Sequence, residues 1–188
     1  MGAAAEVALN EEDGAGRLPL EAAVEEGASW EVQMALLEQH PGAAARLLSS
    51  TGRGIVQRVL GGSGGAQGPP PVDPQADGEL LVRLREVLRA YPHGALEADP
   101  RTRLRPLHAE VARGAAARVG VVECLLEACP KAAGLADGGG RSPLDVALAS
   151  GAGAAVLMLL LPGSPAGVGL GPVLTRLVRE QRPAGEAE

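Results

Sequence analysis

Residues 103–133 read RLRPLHAEVARGAAARVGVVECLLEACPKAA, and the rest of the chain repeats the signals of this stretch. A Pro-Leu pair opens a short apolar segment that ends at Gly114, and a second segment begins at Val119 and ends before Pro130. Proline is favoured in the first turn of a helix, where its missing N–H would have no partner, and it ends a helix that precedes it. The stretch therefore predicts a helix, a tight turn and a second helix.

The same signals recur at intervals along the chain. Pro-Leu pairs open segments at Pro19, Pro106 and Pro143. Four residues after each of four Leu-Leu or Val-Leu pairs stands a closing proline, and these prolines lie 51, 38 and 35 residues apart: Pro41, Pro92, Pro130 and Pro165. Self-similarity at roughly 20–50 residues is typical of stacked repeats. The sequence therefore predicts four helix-turn-helix units, of which the second is interrupted.

Longer motifs surround these prolines and resemble ankyrin repeats. Asp-Gly, a spacer, Arg and Pro-Leu-x-x-Ala occur at residues 13–23 and 137–147, and Pro-Leu-His-Ala occurs at 106–109. The family opens its first helix on Thr-Pro-Leu-His-x-Ala; none of the three openings has the threonine, and Glu21 and Asp145 stand in place of the histidine. The closing Leu-Leu-Glu-x-x-Pro-x-Ala-Ala, at 36–44 and 125–133, is similar to ankyrin arrays of unicellular algae and protists.

The resemblance implies an all-α fold, an ankyrin-like helix-turn-helix repeat solenoid with a terminal capping helix. The expected segments are an N-terminal extension at 1–12, repeat 1 at 13–48, a degenerate repeat 2 at 49–98 with a Gly/Pro-rich insert at 61–78, repeat 3 at 99–136, repeat 4 at 137–165, and a capping helix and tail at 166–188.

The resemblance also implies a protein-binding surface, since turn tips and first helices face the concave groove in ankyrin arrays. On this chain the hypothesis assigns eight side chains to that surface: Arg17, Glu21, Glu25, Arg105, His108, Glu110, Arg141 and Asp145. His108 is further expected to hydrogen bond to the backbone of the turn between repeats, as the family's histidine does. The implied function is a non-enzymatic adaptor or scaffold.

Composition bounds the core and the class of partner. Hydrophobic residues make up 46% of the 188 residues but aromatic residues only 1%, so the core must consist of Leu, Val and Ala. This suits close helix packing better than a sheet sandwich. The net charge of −6 argues against a general nucleic-acid binder, which needs a basic face. The arginines remain compatible with an acidic protein partner.

Catalytic and metal-binding motifs are absent from the sequence, so we expect no enzyme activity, cofactor or metal. Cys124 and Cys129 lie five residues apart, which on a helix turns them about 500° relative to each other, and no disulfide between them is expected. A buried, reduced Cys124 is predicted. The N-terminus shows no secretory or transit-peptide pattern, so a cytoplasmic location with reduced thiols is expected, with an organelle as the alternative.

Several local features carry further expectations. A stripe of Val32, Leu36 and Leu37 is predicted to be the apolar face of the second helix, and Trp30 a partly covered packing residue. In the degenerate repeat 2 we expect a loop at 49–52, a first helix at 55–60, a mobile Gly/Pro-rich insert whose composition disfavours order, and a helix at 79–90. The arginines of that last helix are expected on a solvated face.

Residues 146–175 contain no charge, which raises the alternative of a membrane span. A span needs about 20 unbroken apolar residues, but a turn at 150–153 and Pro162 divide the run, so buried repeat helices are predicted instead. The last repeat then lacks a polar outer face, which an amphipathic helix at 173–181 could cover. If a partner covers it instead, the chain is a permanently bound accessory subunit of a large complex, in an organelle or at a membrane.

Overall fold

The computed structural model describes residues 11–51, 54–61, 74–100 and 102–163, together with Gly171 and Thr175. These residues form α-helices and short 3₁₀ helices and no strand, which confirms the expected all-α class for this part of the chain. The α-helices are α1 (Pro19–Glu25), α2 (Trp30–Gln39), α3 (Gly42–Thr51), α4 (Ile55–Gly61), α5 (Pro74–Ala90), α6 (Pro106–Val111), α7 (Val119–Ala128), α8 (Pro143–Ser150) and α9 (Ala154–Leu160). The 3₁₀ helices are Pro92–Ala95, Gly114–Ala116, Pro130–Gly134 and Leu161–Gly163.

The chain divides into two compact units, residues 1–102 and 103–188. In unit 1, α1 packs on α2 and α3, α2 packs on α5, and α4 pairs with α5. In unit 2, α6 pairs with α7 and α8 pairs with α9. There the two first helices, α6 and α8, pack on each other, and so do the two second helices, α7 and α9. Two helix pairs are therefore stacked in the same order within unit 2.

The first helix of each pair begins where the sequence predicts it. α1, α6 and α8 start at Pro19, Pro106 and Pro143. The proline suits this position because a first-turn N–H has no partner within the helix. The residue that follows each proline is a buried leucine and anchors the helix in its unit: Leu20, Leu107 and Leu144.

The same three helices also end in the same way. Eight residues after each opening proline lies a glycine with positive φ, 72° at Gly27, 65° at Gly114 and 79° at Gly151. This left-handed conformation is cheap only for glycine and turns the chain out of the helix. Gly27 therefore ends the first helix of unit 1 with a positive φ that glycine allows.

The closing prolines mark a third repeated feature. The helices α2, α5 and α7 each end two residues before a closing proline: Pro41, Pro92 and Pro130. The residue just before each proline has nearly the same backbone angles each time, φ −137° and ψ 76° at His40, −137° and 77° at Tyr91, −148° and 88° at Cys129. Proline disfavours helical angles in the residue before it, which explains the shared ending. Two buried small residues follow each of these prolines: Ala43 and Ala44, Gly94 and Ala95, Ala132 and Ala133.

Two predicted loop boundaries are wrong. The loop expected at 49–52 is helical up to Thr51, because α3 buries Ala43, Ala44 and Leu47 and continues past them. The Gly/Pro-rich insert expected at 61–78 ends earlier, since α5 begins at Pro74 rather than at residue 79. Proline fits the first helical position, and an acidic residue in the first turn favours a helix start. Residues 62–73 of the insert lie outside the described residues.

The apolar faces of α2 and α5 agree with the sequence only in part. On α5, Leu84, Val87 and Leu88 are buried, and the polar side chains predicted on the opposite face are exposed: Arg83, Arg85, Glu86 and Arg89. On α2, Val32 is 48% exposed, so its predicted place in the apolar stripe is wrong. Met34 and Leu37, three residues apart, are the buried pair instead.

Trp30 is half-buried, as predicted, and joins α2 to α5. The Arg83 guanidinium carbon lies 5.3 Å from the centre of its indole ring, within the range of a cation–π contact. The indole Nε1–H donates to Glu86 Oε2 at 2.7 Å. The indole ring of Trp30 therefore packs against α5 within unit 1.

Residues 146–160 of the uncharged region lie in α8 and α9, which the predicted turn at 150–153 separates. No helix in the described part of the chain is long and apolar enough to cross a membrane. Pro165 and the terminal helix predicted at 173–181 lie outside the described residues, apart from Thr175. Cys124 is buried and Cys129 half-buried, and both are free thiols, as expected.

Candidate partner-binding surface

The two Asp-Gly motifs fold into the same tight turn. At residues 137–141, the Asp137 N–H donates to Arg141 O at 2.9 Å, and the Gly140 N–H donates to Asp137 O at 3.1 Å. Asp137 Oδ1 accepts the N–H groups of Gly139 at 2.8 Å and Arg141 at 2.9 Å. At residues 13–17 the four equivalent bonds measure 2.9, 2.9, 2.8 and 2.9 Å. The same residue types at the same spacing therefore produce the same conformation in both units.

In both turns the aspartate also holds the arginine side chain. Asp13 Oδ2 accepts from Arg17 Nε at 2.8 Å, and Asp137 Oδ2 accepts from Arg141 Nε at 3.1 Å and Nη2 at 2.9 Å. The backbone N–H of Arg17 and then its side chain lower the pKa of Asp13 to about 2. The backbone N–H of Arg141 likewise lowers the pKa of Asp137. Both turns are therefore closed by a charged carboxylate.

Glu21 and Asp145, which stand where ankyrin repeats have histidine, act as helix caps. Glu21 Oε2 accepts the Leu18 N–H at 2.7 Å, just before α1. Asp145 Oδ2 accepts the Ser142 N–H at 3.0 Å, and Ser142 Oγ accepts the Asp145 N–H at 3.2 Å, a reciprocal capping box. The acidic residues therefore satisfy backbone donors of their own helices.

His108 connects α6 to the turn at 137–141. Its side chain is fully buried, and ring Nε2 lies 3.1 Å from Arg141 O. Because a carbonyl oxygen only accepts, Nε2 carries the proton, and Nδ1 is buried without a partner among the described residues. The expected hydrogen bond from His108 to the backbone of a turn is confirmed at the turn at 137–141. Burial lowers the pKa of His108, and the nearby Arg105 and Arg141 cations add to that effect.

We predict that His108 makes the protein less stable in weak acid. The unfolded chain takes up a proton near the ordinary histidine pKa of 6.5, whereas the folded chain resists it, so stability falls as the pH drops below 6.5. In His108→Gln the amide can still donate to Arg141 O and does not titrate. Melting temperatures measured from pH 7.5 to pH 5 should fall more steeply for the natural chain than for His108→Gln; parallel curves would contradict the prediction.

Glu110 forms a buried ion pair that joins α6 to α7. Its carboxylate accepts the Arg118 backbone N–H at 2.8 Å, Nε at 3.0 Å and Nη2 at 2.6 Å. The side chains of Glu110 and Arg118 are only 2% and 10% exposed. Arg118 is the residue that precedes α7, so the pair fixes the start of the second helix.

The eight side chains assigned to the surface therefore divide into two groups. Glu21, His108 and Glu110 are buried and bonded internally, so their assignment to an exposed surface is wrong: each satisfies backbone or guanidinium groups of its own unit. The accessible ones lie in different units, Arg17 and Glu25 in unit 1, Arg105, Arg141 and Asp145 in unit 2. Arg17 and Glu25 pair with each other at 3.0 Å.

Arg103 is an accessible residue that the sequence reasoning missed. It is exposed and has φ +57°, whereas Gly16 and Gly140 hold the equivalent place, three residues before the opening proline, at 76° and 79°. Its side chain lies against Gly138: a Cβ built there would be 2.8 Å from Arg103 Cβ. The sequence does show that Arg103 stands three residues before Pro106, at the position where the other two openings have glycine.

Within the described residues, no three His, Cys, Asp or Glu side chains are grouped so that they could hold a metal ion. Comparisons of the chain with protein-family models, with curated proteins and with solved structures found no match.

Proposed function

We propose that the chain is an ankyrin-like repeat protein that binds another protein and catalyses no reaction. The observation that carries this proposal is the pair of identical turns at 13–17 and 137–141, each leading into a first helix that begins with Pro-Leu and ends on a left-handed glycine. The stacking of α6 on α8 and of α7 on α9 supports it further. Stacked repeats of this kind present an extended surface that suits binding.

The turns supply rigid, charged contact groups, which favours binding. Arg141 is 58% exposed, yet its backbone and side chain are both held by Asp137. A side chain that is already ordered loses little conformational entropy when a partner binds it. Arg17 is held in the same way by Asp13.

The use made of the buried polar groups argues against catalysis. Three deeply buried ionisable side chains of the described chain are Glu21, His108 and Glu110. Each is bonded to a backbone group or a guanidinium of its own unit. We therefore propose a binding role without a cofactor.

A native pull-down of the tagged full chain from its own cells, with mass spectrometry, tests this proposal. We expect a reproducible protein partner. Capture that is lost in a high-salt wash indicates an adaptor that uses the charged turns, whereas stoichiometric capture that resists salt indicates a permanent subunit with a larger apolar interface. Recovery of the chain alone, also after chemical cross-linking in the cells, would overturn the proposal.

A further inference from the structure

We propose that a C-terminal segment of this chain, residues 173–178, docks on the open end of the helix stack in unit 2 and covers it. The proposal concerns unit 2 alone and goes beyond the binding function proposed above, because this contact forms with or without a partner protein. Of the segment, only Thr175 lies within the described residues.

The two helix pairs of unit 2 differ in burial at three equivalent positions. In the first pair, α6 and α7, His108, Val111 and Cys124 are 0%, 0% and 2% exposed. Equivalent positions in the second pair are counted from the opening proline for α8 and from the first helical residue for α9. They hold residues that are only half-buried: Asp145, Leu148 and Leu159.

In the first pair these positions contact the pair that follows. His108 Nε2 lies 3.1 Å from Arg141 O, in the turn that leads into α8. By contrast, the anchoring leucines at the start of the two first helices, Leu107 and Leu144, are both 0% exposed. The second pair therefore loses burial on the side where a third pair would stack.

The surface of Leu148 and Leu159, which we call the open end, favours an apolar cover. Residues 146–163 contain no charge. Asp145, the one charged residue among the three positions, is bonded to Ser142. The terminal repeat of an array needs a polar outer face, and two leucines do not supply it. A segment with one apolar and one polar side would bury the leucines and present polar groups to water.

The C-terminal segment has this pattern. On a helix, Val173, Leu174 and Leu177 fall within about 100° of one another, and Thr175 lies at least about 100° from each of them. Gly171 and Thr175 are helical and exposed, and Thr175 Oγ1–H donates to Gly171 O at 2.8 Å, one helical turn away. The side of Thr175 therefore faces water, which leaves the apolar side for the open end.

The connection is long enough to bring the segment back to the open end. The continuous described chain ends at Gly163, just after α9, and seven residues separate it from Gly171. Seven extended residues span up to about 23 Å, whereas α9 is about 10 Å long. Because the segment is tethered, its effective concentration at the open end exceeds that of a second copy at ordinary protein concentrations.

A double-mutant cycle followed by thermal unfolding tests this contact in the full chain. We expect Leu159→Ala and Leu177→Ala each to lower the melting temperature by about 2–8 °C. The double variant should lose clearly less than the sum, because the second substitution removes a contact that is already broken. The matched control is Thr175→Ala, on the water-facing side, which should not lower the melting temperature and should show no coupling to Leu159→Ala.

Sedimentation velocity of the same chains identifies the occupant of the open end. We expect the melting temperature of the natural chain to be independent of concentration and its association state to be unchanged by Leu177→Ala. Three results would overturn the proposal. Additive losses in Leu159→Ala and Leu177→Ala would show that the two side chains do not meet. An unchanged melting temperature in Leu177→Ala would leave the open end to another protein, and a dimer that Leu177→Ala dissociates would assign it to a second copy.

Discussion

Glu110→Ala lowers the free energy of unfolding by about 3–5 kcal/mol, the cost of breaking a buried ion pair by removing one partner. Glu110 accepts three hydrogen bonds from Arg118, one from the backbone and two from the guanidinium. Both side chains are almost fully buried, so the guanidinium left behind cannot recover water without opening the unit. Urea unfolding followed by far-UV circular dichroism measures the loss, because the helices of unit 2 contribute to this signal, whereas Trp30, the one tryptophan, lies in unit 1.

Glu123→Ala is the control for this experiment. It removes the same charge from the exposed side of α7, where a substitution typically changes stability by less than about 0.5 kcal/mol. If Glu110→Ala and Glu123→Ala shift the urea midpoint equally, the buried pair does not stabilise unit 2 in the way described here.

Gly114→Ala should destabilise unit 2 severely. Gly114 has φ +65°, and a Cβ built on it would lie 2.2 Å from the backbone oxygen of Ser150. Two costs combine: the left-handed conformation costs alanine about 1–2 kcal/mol, and forcing α6 and α8 apart adds about 1–3 kcal/mol. The approach matters to the stack because Ser150 Oγ also lies 2.8 Å from Val111 O, at the end of α6.

Gly140→Ala separates the two costs. Gly140 lies in the same unit with φ +79°, but nothing is within 4 Å of a Cβ built there. It should show only the conformational cost, so its melting temperature should lie clearly above that of Gly114→Ala. Equal melting temperatures would mean that the close contact between the first helices of the two pairs is absent.

The features that the sequence predicts well are those that depend on local backbone chemistry. Prolines and glycines restrict or release φ in their own residue and its neighbour, so Pro19, Pro106 and Pro143 mark helix starts and Gly27 marks a helix end. The turn at 137–141 follows from the same logic. The helical extension to Thr51 was missed because burial of Leu47, a tertiary contact, outweighs the local preference of serines for loops.

The candidate surface was harder to predict than the helices because exposure is a tertiary property. In the sequence, Glu110 is one more charged residue on a short helix. Only the structure shows that it is buried and binds Arg118, which lies eight residues further along the chain. Glu21 reads as a substitute for a histidine, but its carboxylate reaches back to the Leu18 N–H. Arg103 was missed because its φ is visible only in the structure, although its spacing from Pro106 matches that of Gly140 from Pro143.

Partner capture by a turn-surface variant tests the central claim most directly. The variant carries Arg105→Gln and Arg141→Gln, and the matched control carries Arg85→Gln and Arg89→Gln, the same change in charge on the exposed face of α5. Both are compared with the natural chain in the native pull-down, after circular dichroism shows equal helical content. We predict that the turn-surface variant loses the partner and the control keeps it. Equal capture by all three chains would contradict a binding surface at the turn of unit 2.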